Sequence, residues 1–272
     1  MSMPGGRRHP AAHTLMPLVT DPARLRKCAR ALMRSPGGPG ADGITWASYR
    51  DGLDDRISDL AARLQKGTWR PGPVRAVTLP SWGKDLALAV PTAEDRIVHR
   101  AIRTAAEPVL DADAYLPWLF GWRPRAARTD AITVAAAHLA AGRPWVADLD
   151  VAAVTSGADL DATIDGVARW ISDGTFLSLL REVLAALPGP LAPGSGLSPM
   201  LTNLRLVPVD EQLAGLAVIR VTDNYTVFCP TRAEARHATE RVTAALALRG
   251  LKPQPAKSQV WRPNPEDLYL AG

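Results

Sequence analysis

Apolar positions recur along the chain first at helical and then at strand spacing. After Asp21-Pro22, a cap followed by proline at the first helical position, Leu25, Cys28 and Leu32 mark a helix that stops before Pro36. Leu53, Ile57, Leu60 and Leu64 mark a second helix, which Gly67 closes. Val74 to Val90 reads as a strand or hairpin turning at Trp82-Gly83-Lys84. Thr92-Ala93-Glu94-Asp95 opens a helix to about Leu110, with Asp where a capping box has Glu. An alanine-rich helix follows from about Thr129 to Ala141, and residues 160–187 are mostly helical. Ser198-Pro199 starts a further helix, a last long one runs from about Arg232 to Arg249, and Leu268-Tyr269-Leu270 reads as a short strand.

Between these helices, Trp145, Ala147, Leu149 and Val151 alternate with Asp148 and Asp150. That is a period-2 strand with two carboxylates on one face. Like charges two residues apart repel, so stability alone does not place them there. The alternative is a solvent-facing pair at a strand end. Further on, Val218 to Thr222 and Tyr225 to Cys229 are both β-rich, with Asp223-Asn224 between them. Asp and Asn tolerate turn angles, so the pair predicts a tight hairpin tipped by Asp223. Carboxylates from a strand and a hairpin tip together suit hard divalent cations, which position a hydroxyl and neutralise a triphosphate. Helices on such a sheet make an α+β class.

The 272 residues allow one large or two small domains, and 47% hydrophobic content indicates a folded chain. A net charge of +5 suits a polyanionic partner. Cys28 and Cys229 show no metal-ligand spacing, so a reducing cytoplasm is expected. No run is long and apolar enough for a signal peptide or a membrane span. Residues 1–20 read as a loose arm.

Arg96, Arg100 and Arg103 share a helix face, which a simple solvated face also explains. From Pro117 to Arg128, Trp118, Phe120 and Trp122 interleave with Arg123, Arg125 and Arg128. That mixture suits phosphate contacts and base stacking, or a packed loop with exposed arginines. The five histidines are scattered, and a histidine metal site is not expected. Asp159, Asp161 and Asp165 suit a helix start, and Ser198 reads as a cap rather than a nucleophile.

Several motifs in order give a resemblance. Gly40-Ala41-Asp42-Gly43, Gly67 to Arg75, Val90 to Val98 and Gly121-Trp122-Arg123-Pro124 come first. Val146 to Asp150, Ser198 to Asn203, Lys257 and Tyr269 to Gly272 follow. Over about residues 18–272 the chain resembles the reverse transcriptase domain of group II intron-encoded proteins and their bacterial relatives. The resemblance implies a right-hand fingers and palm with no thumb: an arm over 1–20, a fingers-like region over 21–140 and a palm-like region over 141–272. It implies Asp150 and Asp223 as catalytic residues, with Asn224 joining them around Mg²⁺ or Mn²⁺. Lys84, Thr155 and Lys257 would lie at the nucleotide. Arg75, Arg96, Arg100, Trp122, Arg123, Arg125 and Arg128 would contact RNA or DNA. A protein or RNA partner would supply the thumb's function.

The departures fall in the pocket. Thr155 stands where the family has an aromatic under the sugar, and Asn224 where it has a second hairpin carboxylate. Gly194 replaces a glutamine, and Leu86 replaces the arginine that grips the triphosphate. Each loss costs on the order of a couple of kcal/mol of transition-state stabilisation. Three expectations result. The chain is a reverse transcriptase-like, nucleic-acid-binding protein whose two-metal nucleotidyl transfer is impaired or partner-dependent. Alternatively it is an inactive module of that fold for binding or assembly. Or the surviving aspartates serve untemplated transfer or nucleotide cyclisation.

Overall fold

The computed structural model describes residues 14–81 and 84–264. In chain order its elements begin with α1 (Met16–Thr20), α2 (Pro22–Met33), α3 (Trp46–Arg50) and α4 (Leu53–Gln65). The strands β1 (Arg75–Ser81) and β2 (Lys84–Val90) lead to α5 (Ala93–Asp113) and α6 (Arg128–Ala140). Then come β3 (Trp145–Asp150), α7 (Leu160–Ala168), α8 (Gly174–Ala185) and α9 (Ser198–Gln212). Strands β4 (Val218–Val221) and β5 (Asn224–Cys229), helix α10 (Arg232–Ala247) and strand β6 (Gln259–Trp261) complete the order.

The chain divides into two compact units, each made of two segments: Met1–Ala114 with Gly157–Ser198, and Tyr115–Ser156 with Pro199–Gly272. This division does not follow a single cut at residue 140. Helix α6 belongs to the second unit, and residues 157–198 return to the first.

In the first unit, short-range capping sets the helix starts. The Asp21 carboxylate accepts from Ala23 N at 2.8 Å, and the Asp159 carboxylate from Ala162 N at 2.8 Å. Thr92 caps α5 through Asp95 N, but the Asp95 carboxylate accepts from Gly72 N rather than closing a capping box. The core gathers Leu25, Ile57, Leu60, Ile97, Ile102 and Leu110, all fully buried. Each contributes about 1.5–3 kcal/mol of burial. Residues 15–20 of the expected arm are part of the folded unit, and residues 1–13 lie outside the described residues. Leu15 N and Met16 N donate to Asp173, and Val19 is fully buried. These bonds and those of Phe176 and Thr175 hold the Asp173 carboxyl below its ordinary range, although burial pushes it up.

The second unit is built on an antiparallel sheet in the order β4-β5-β3-β6. On one face Ala147 and Leu149 pack with Val209 of α9 and Val242 and Leu246 of α10. On the other, Val146, Ile219 and Phe228 pack with Ala131 and Ala135 of α6. So β3 begins buried on both faces and alternates only toward its end, where Asp148 and Asp150 follow Val146 on the α6 side. The short strand expected at 268–270 lies outside the described residues. β6 pairs with β3 through Val146↔Trp261 to Asp148↔Gln259. Among the described residues no helix is long and apolar enough to cross a membrane.

Candidate functional site

The β3–β5 register sets the site in the second unit. Asp150 lies opposite Asn224, and Asp148 opposite Thr226. Val221 pairs with Asn224, so the hairpin turn is Thr222-Asp223 and Asn224 is the first residue of β5. The expected turn was one residue later. Thr222 carries φ +58°, a left-handed angle that a β-branched side chain rarely adopts. Asp223 does sit at the tip. Its backbone oxygen accepts from Val151 N at 3.2 Å, which fastens the turn to the end of β3.

A buried network holds that turn. Arg220 and Asp210 are both fully buried, and the guanidinium donates to both carboxylate oxygens, the shortest bond 2.6 Å. Arg220 Nη1 also donates to the Thr222 carbonyl at 2.7 Å and to Asn203 Oδ1 at 2.9 Å. Tyr225 donates to the same Asp210 carboxylate. The Asn203 amide nitrogen then donates to the Gly121 carbonyl at 3.0 Å and to that of Trp122 at 3.4 Å. A Cβ on Gly121 would lie 1.9 Å from Thr222 N, so only glycine permits this approach. Sequence reasoning missed Arg220 and Asp210. Ten residues apart on a strand and a helix, they form no local motif.

Each acidic side chain has a donor. Thr226 donates to Asp148 at 3.0 Å, and Lys257 Nζ lies 3.0 Å from Asp150 Oδ2. Lys257 is placed by the chain itself, because Gln254 N donates to the Asp150 backbone oxygen at 2.7 Å. Thr222 donates to Asp223 Oδ1 at 2.9 Å. Burial pushes the Asp148 carboxyl up, Thr226 opposes that, and the Asp150 charge adds to it.

Asp148, Asp150, Asn224, Arg128 and Lys257 line one pocket of 530 Å³ with apolar walls that include Phe228 and Trp261. Asp223 is not part of its lining, and neither is Thr155, which sits half-buried in the turn after β3. Arg123 turns back on its own segment, donating to the carbonyls of Leu116 and Leu119. Arg125 has φ +60°.

The other predicted residues belong to the first unit. Lys84 begins β2 opposite Ser81, and Arg75 begins β1 opposite Val90, with its side chain exposed. Arg96 stacks on Trp46 at 5.1 Å and donates to the Gly38 carbonyl at 2.8 Å, so it anchors the glycine loop. Arg100 is exposed on α5. Ser198 is the first residue of α9, and its hydroxyl donates to the Leu191 carbonyl, which is neither a cap nor a nucleophile's role.

The hard oxygen donors here are the Asp150 and Asp223 carboxylates and the Asn224 amide oxygen. Asp150 and Asn224 line the pocket and Asp223 adjoins it at the turn, and hard oxygen donors of this kind are those a divalent cation takes. Among the described residues no three Asp, Glu, His or Cys side chains are grouped to hold a metal ion by themselves.

No family model matches the chain. The chain is similar to Protein YkfC of Escherichia coli (strain K12), with 31% identity over 218 residues, 73% of this chain and 56% of that protein. It thus spans a little over half the length of that relative. Among solved structures, chains from assemblies described as a partial Cas6-RT-Cas1–Cas2 complex and a Cas6-RT-Cas1–Cas2 complex align with 87% of this chain. Both alignments have 18% identity and a TM-score of 0.46, and they cover 42% and 26% of those chains.

Proposed function

We propose that this chain is a reverse transcriptase-like protein, related to RNA-directed DNA polymerases, that binds RNA or DNA. Its two-metal nucleotidyl transfer is impaired or depends on a partner. The observation that carries this reading is the β3–β5 register, with Asp150 opposite Asn224 and Asp223 at the adjoining turn. A strand carboxylate beside a hairpin carboxylate is the arrangement that phosphoryl-transfer chemistry needs. When bound, Mg²⁺ would neutralise the phosphates and position the attacking hydroxyl. Asp150, Asp223 and the Asn224 oxygen would hold it.

The same residues argue for impairment. Asn224 contributes a neutral oxygen where a carboxylate would hold a cation more tightly. Lys257 already neutralises Asp150. On β2, Leu86 is exposed and apolar where a triphosphate-gripping arginine would stand in the family. These features favour a second reading, an inactive binding module of the same fold.

Labelled-nucleotide incorporation on a primed RNA template, with Mg²⁺ or Mn²⁺, tests the proposal beside a gel shift in EDTA. The expected result is nucleic-acid binding without metal and weak template-dependent incorporation. Asp150→Ala should remove that incorporation, and Asn224→Asp should raise it. Binding with no product under either metal or in Asn224→Asp selects the inactive module. Absence of binding to RNA and DNA overturns both readings.

A further inference from the structure

Three aromatic residues lie between Pro117 and Arg128, and their environments differ. Trp118 packs on the core shared with α10, and Phe120 on the core under α6. Trp122 packs into neither, and 41% of it is exposed. It also carries φ +54°, a left-handed angle that costs a non-glycine residue on the order of 1–3 kcal/mol. An exposed indole on a strained backbone is not explained by stability.

The backbone around Trp122 is nonetheless fixed from several sides. The Asn203 amide bonds the carbonyls of Gly121 and Trp122. Phe120 N donates to the Arg220 carbonyl at 2.9 Å. Gly121 abuts the Thr222 backbone, and the Arg123 guanidinium clasps two carbonyls of its own segment. The fixed backbone therefore carries an indole that is partly open to solvent. Thr222, which Gly121 touches, lines the pocket that also carries Arg128 and Lys257.

We infer that Trp122 is a stacking platform for an unpaired base of a single-stranded nucleic acid, with Arg128 of the adjoining pocket drawing its phosphates. This rests on the nucleic-acid binding proposed above. The net charge of +5 complements a polyanion. A single strand is the ligand, because a base in a duplex offers no free face to an indole. The left-handed backbone angle makes the test selective. Glycine at position 122 relieves strain while removing the ring, so loss of binding and loss of stability are uncoupled.

The test uses fluorescence anisotropy with fluorescein-labelled 12-nucleotide RNA and DNA single strands and the matching duplexes, at fixed salt in EDTA. The full chain is compared with Trp122→Gly and Trp122→Phe. Trp122→Gly should weaken single-strand binding about tenfold, the loss of one stacked base, and leave duplex binding unchanged. Its Tm should equal or exceed the parent's. Trp122→Phe should bind single strands within about threefold of the parent, since it keeps a ring. Equal single-strand affinity in parent and Trp122→Gly overturns the stacking role while nucleic-acid binding stands. A Trp122→Phe as weak as Trp122→Gly overturns it also. A parent that binds none of the oligonucleotides overturns nucleic-acid binding itself, and this inference with it.

Discussion

The two units each contain a loop locked by the same pair of devices, yet the locks differ in charge. In the first unit, Gly194 lies so close to β2 that a Cβ would be 2.4 Å from the Ala89 carbonyl oxygen. Its anchor is neutral: Ser195 Oγ lies 3.3 Å from His99 Nδ1, both buried. In the second unit, Gly121 makes the corresponding close approach to Thr222, and the anchor is the Arg220–Asp210 ion pair. A neutral pair costs little to bury but bonds weakly. A charged pair costs much to desolvate and is stable only while complete. Arg220 repays that cost by satisfying four acceptor atoms at once, on Asp210, Asn203 and Thr222. The ionic lock therefore fixes a turn geometry, and the neutral lock fixes a loop position.

The sharpest way to break the contrast is to remove one member of the ionic lock. Arg220→Met leaves the Asp210 carboxylate buried without its partner and should cost about 3–5 kcal/mol. Urea unfolding followed by circular dichroism measures this. Removing both charges, with Arg220→Met and Asp210→Leu together, should recover part of the loss. A single variant within about 1 kcal/mol of the parent would mean that the pair is not desolvated as its burial indicates.

The neutral lock should answer to acid. Burial, aided by the Arg96 charge, lowers the His99 pKa from 6.5 to about 4. A depressed pKa means that the unfolded chain binds the proton more readily. The stabilisation is therefore complete above about pH 6.5 and is lost as pH falls toward 4, by roughly 3 kcal/mol in all. Asp95 and Asp148, both raised by burial, act in the opposite direction at low pH, so the difference between two proteins is what counts. From pH 7 to pH 4.5 the parent should lose more stability than His99→Gln, which keeps a polar partner for Ser195. Parallel pH profiles would mean that His99 is not kept neutral by burial.

How much of this could be read in advance depended on range. The Asp148–Asp150 strand and the Asp223 hairpin were legible because period-2 alternation and turn composition are local signals. The turn itself was misplaced by one residue, since no local rule puts a β-branched Thr222 at positive φ. Only Arg220 and the approach of Gly121 impose it. The helices were placed closely for the same local reason, with caps at Asp21 and Thr92 where expected; of the three acids read as a helix start, Asp159 caps α7 and Asp161 lies in its first turn, but Asp165 falls in its second half. Both locks were illegible, because His99 with Ser195 and Asp210 with Arg220 pair only through the tertiary fold. Strand β6 was missed because three residues are too few to show a period. Arg123 looked like a phosphate contact by composition, and Arg96 was given as a nucleic-acid contact by the resemblance. In the fold their guanidiniums bond backbone carbonyls, a use of arginine that sequence does not distinguish from the first.

The smallest effect tests whether the ionic lock stores strain in the turn. Thr222 at φ +58° is held there by the Arg220 bond to its carbonyl. Thr222→Gly removes the steric cost of a branched side chain at that angle. It also loses the hydroxyl bond to Asp223 and gives the unfolded chain more freedom. The strain relief is the larger quantity, so Thr222→Gly should raise stability by about 0.5 kcal/mol, seen as a higher urea midpoint with an unchanged slope. In an Arg220→Met background the gain should vanish, because the turn is then free to relax without the substitution. A gain that persists there would assign the strain to the Gly121 contact rather than to the lock, and a lower midpoint in the parent background would assign the turn's stability to the Thr222–Asp223 bond.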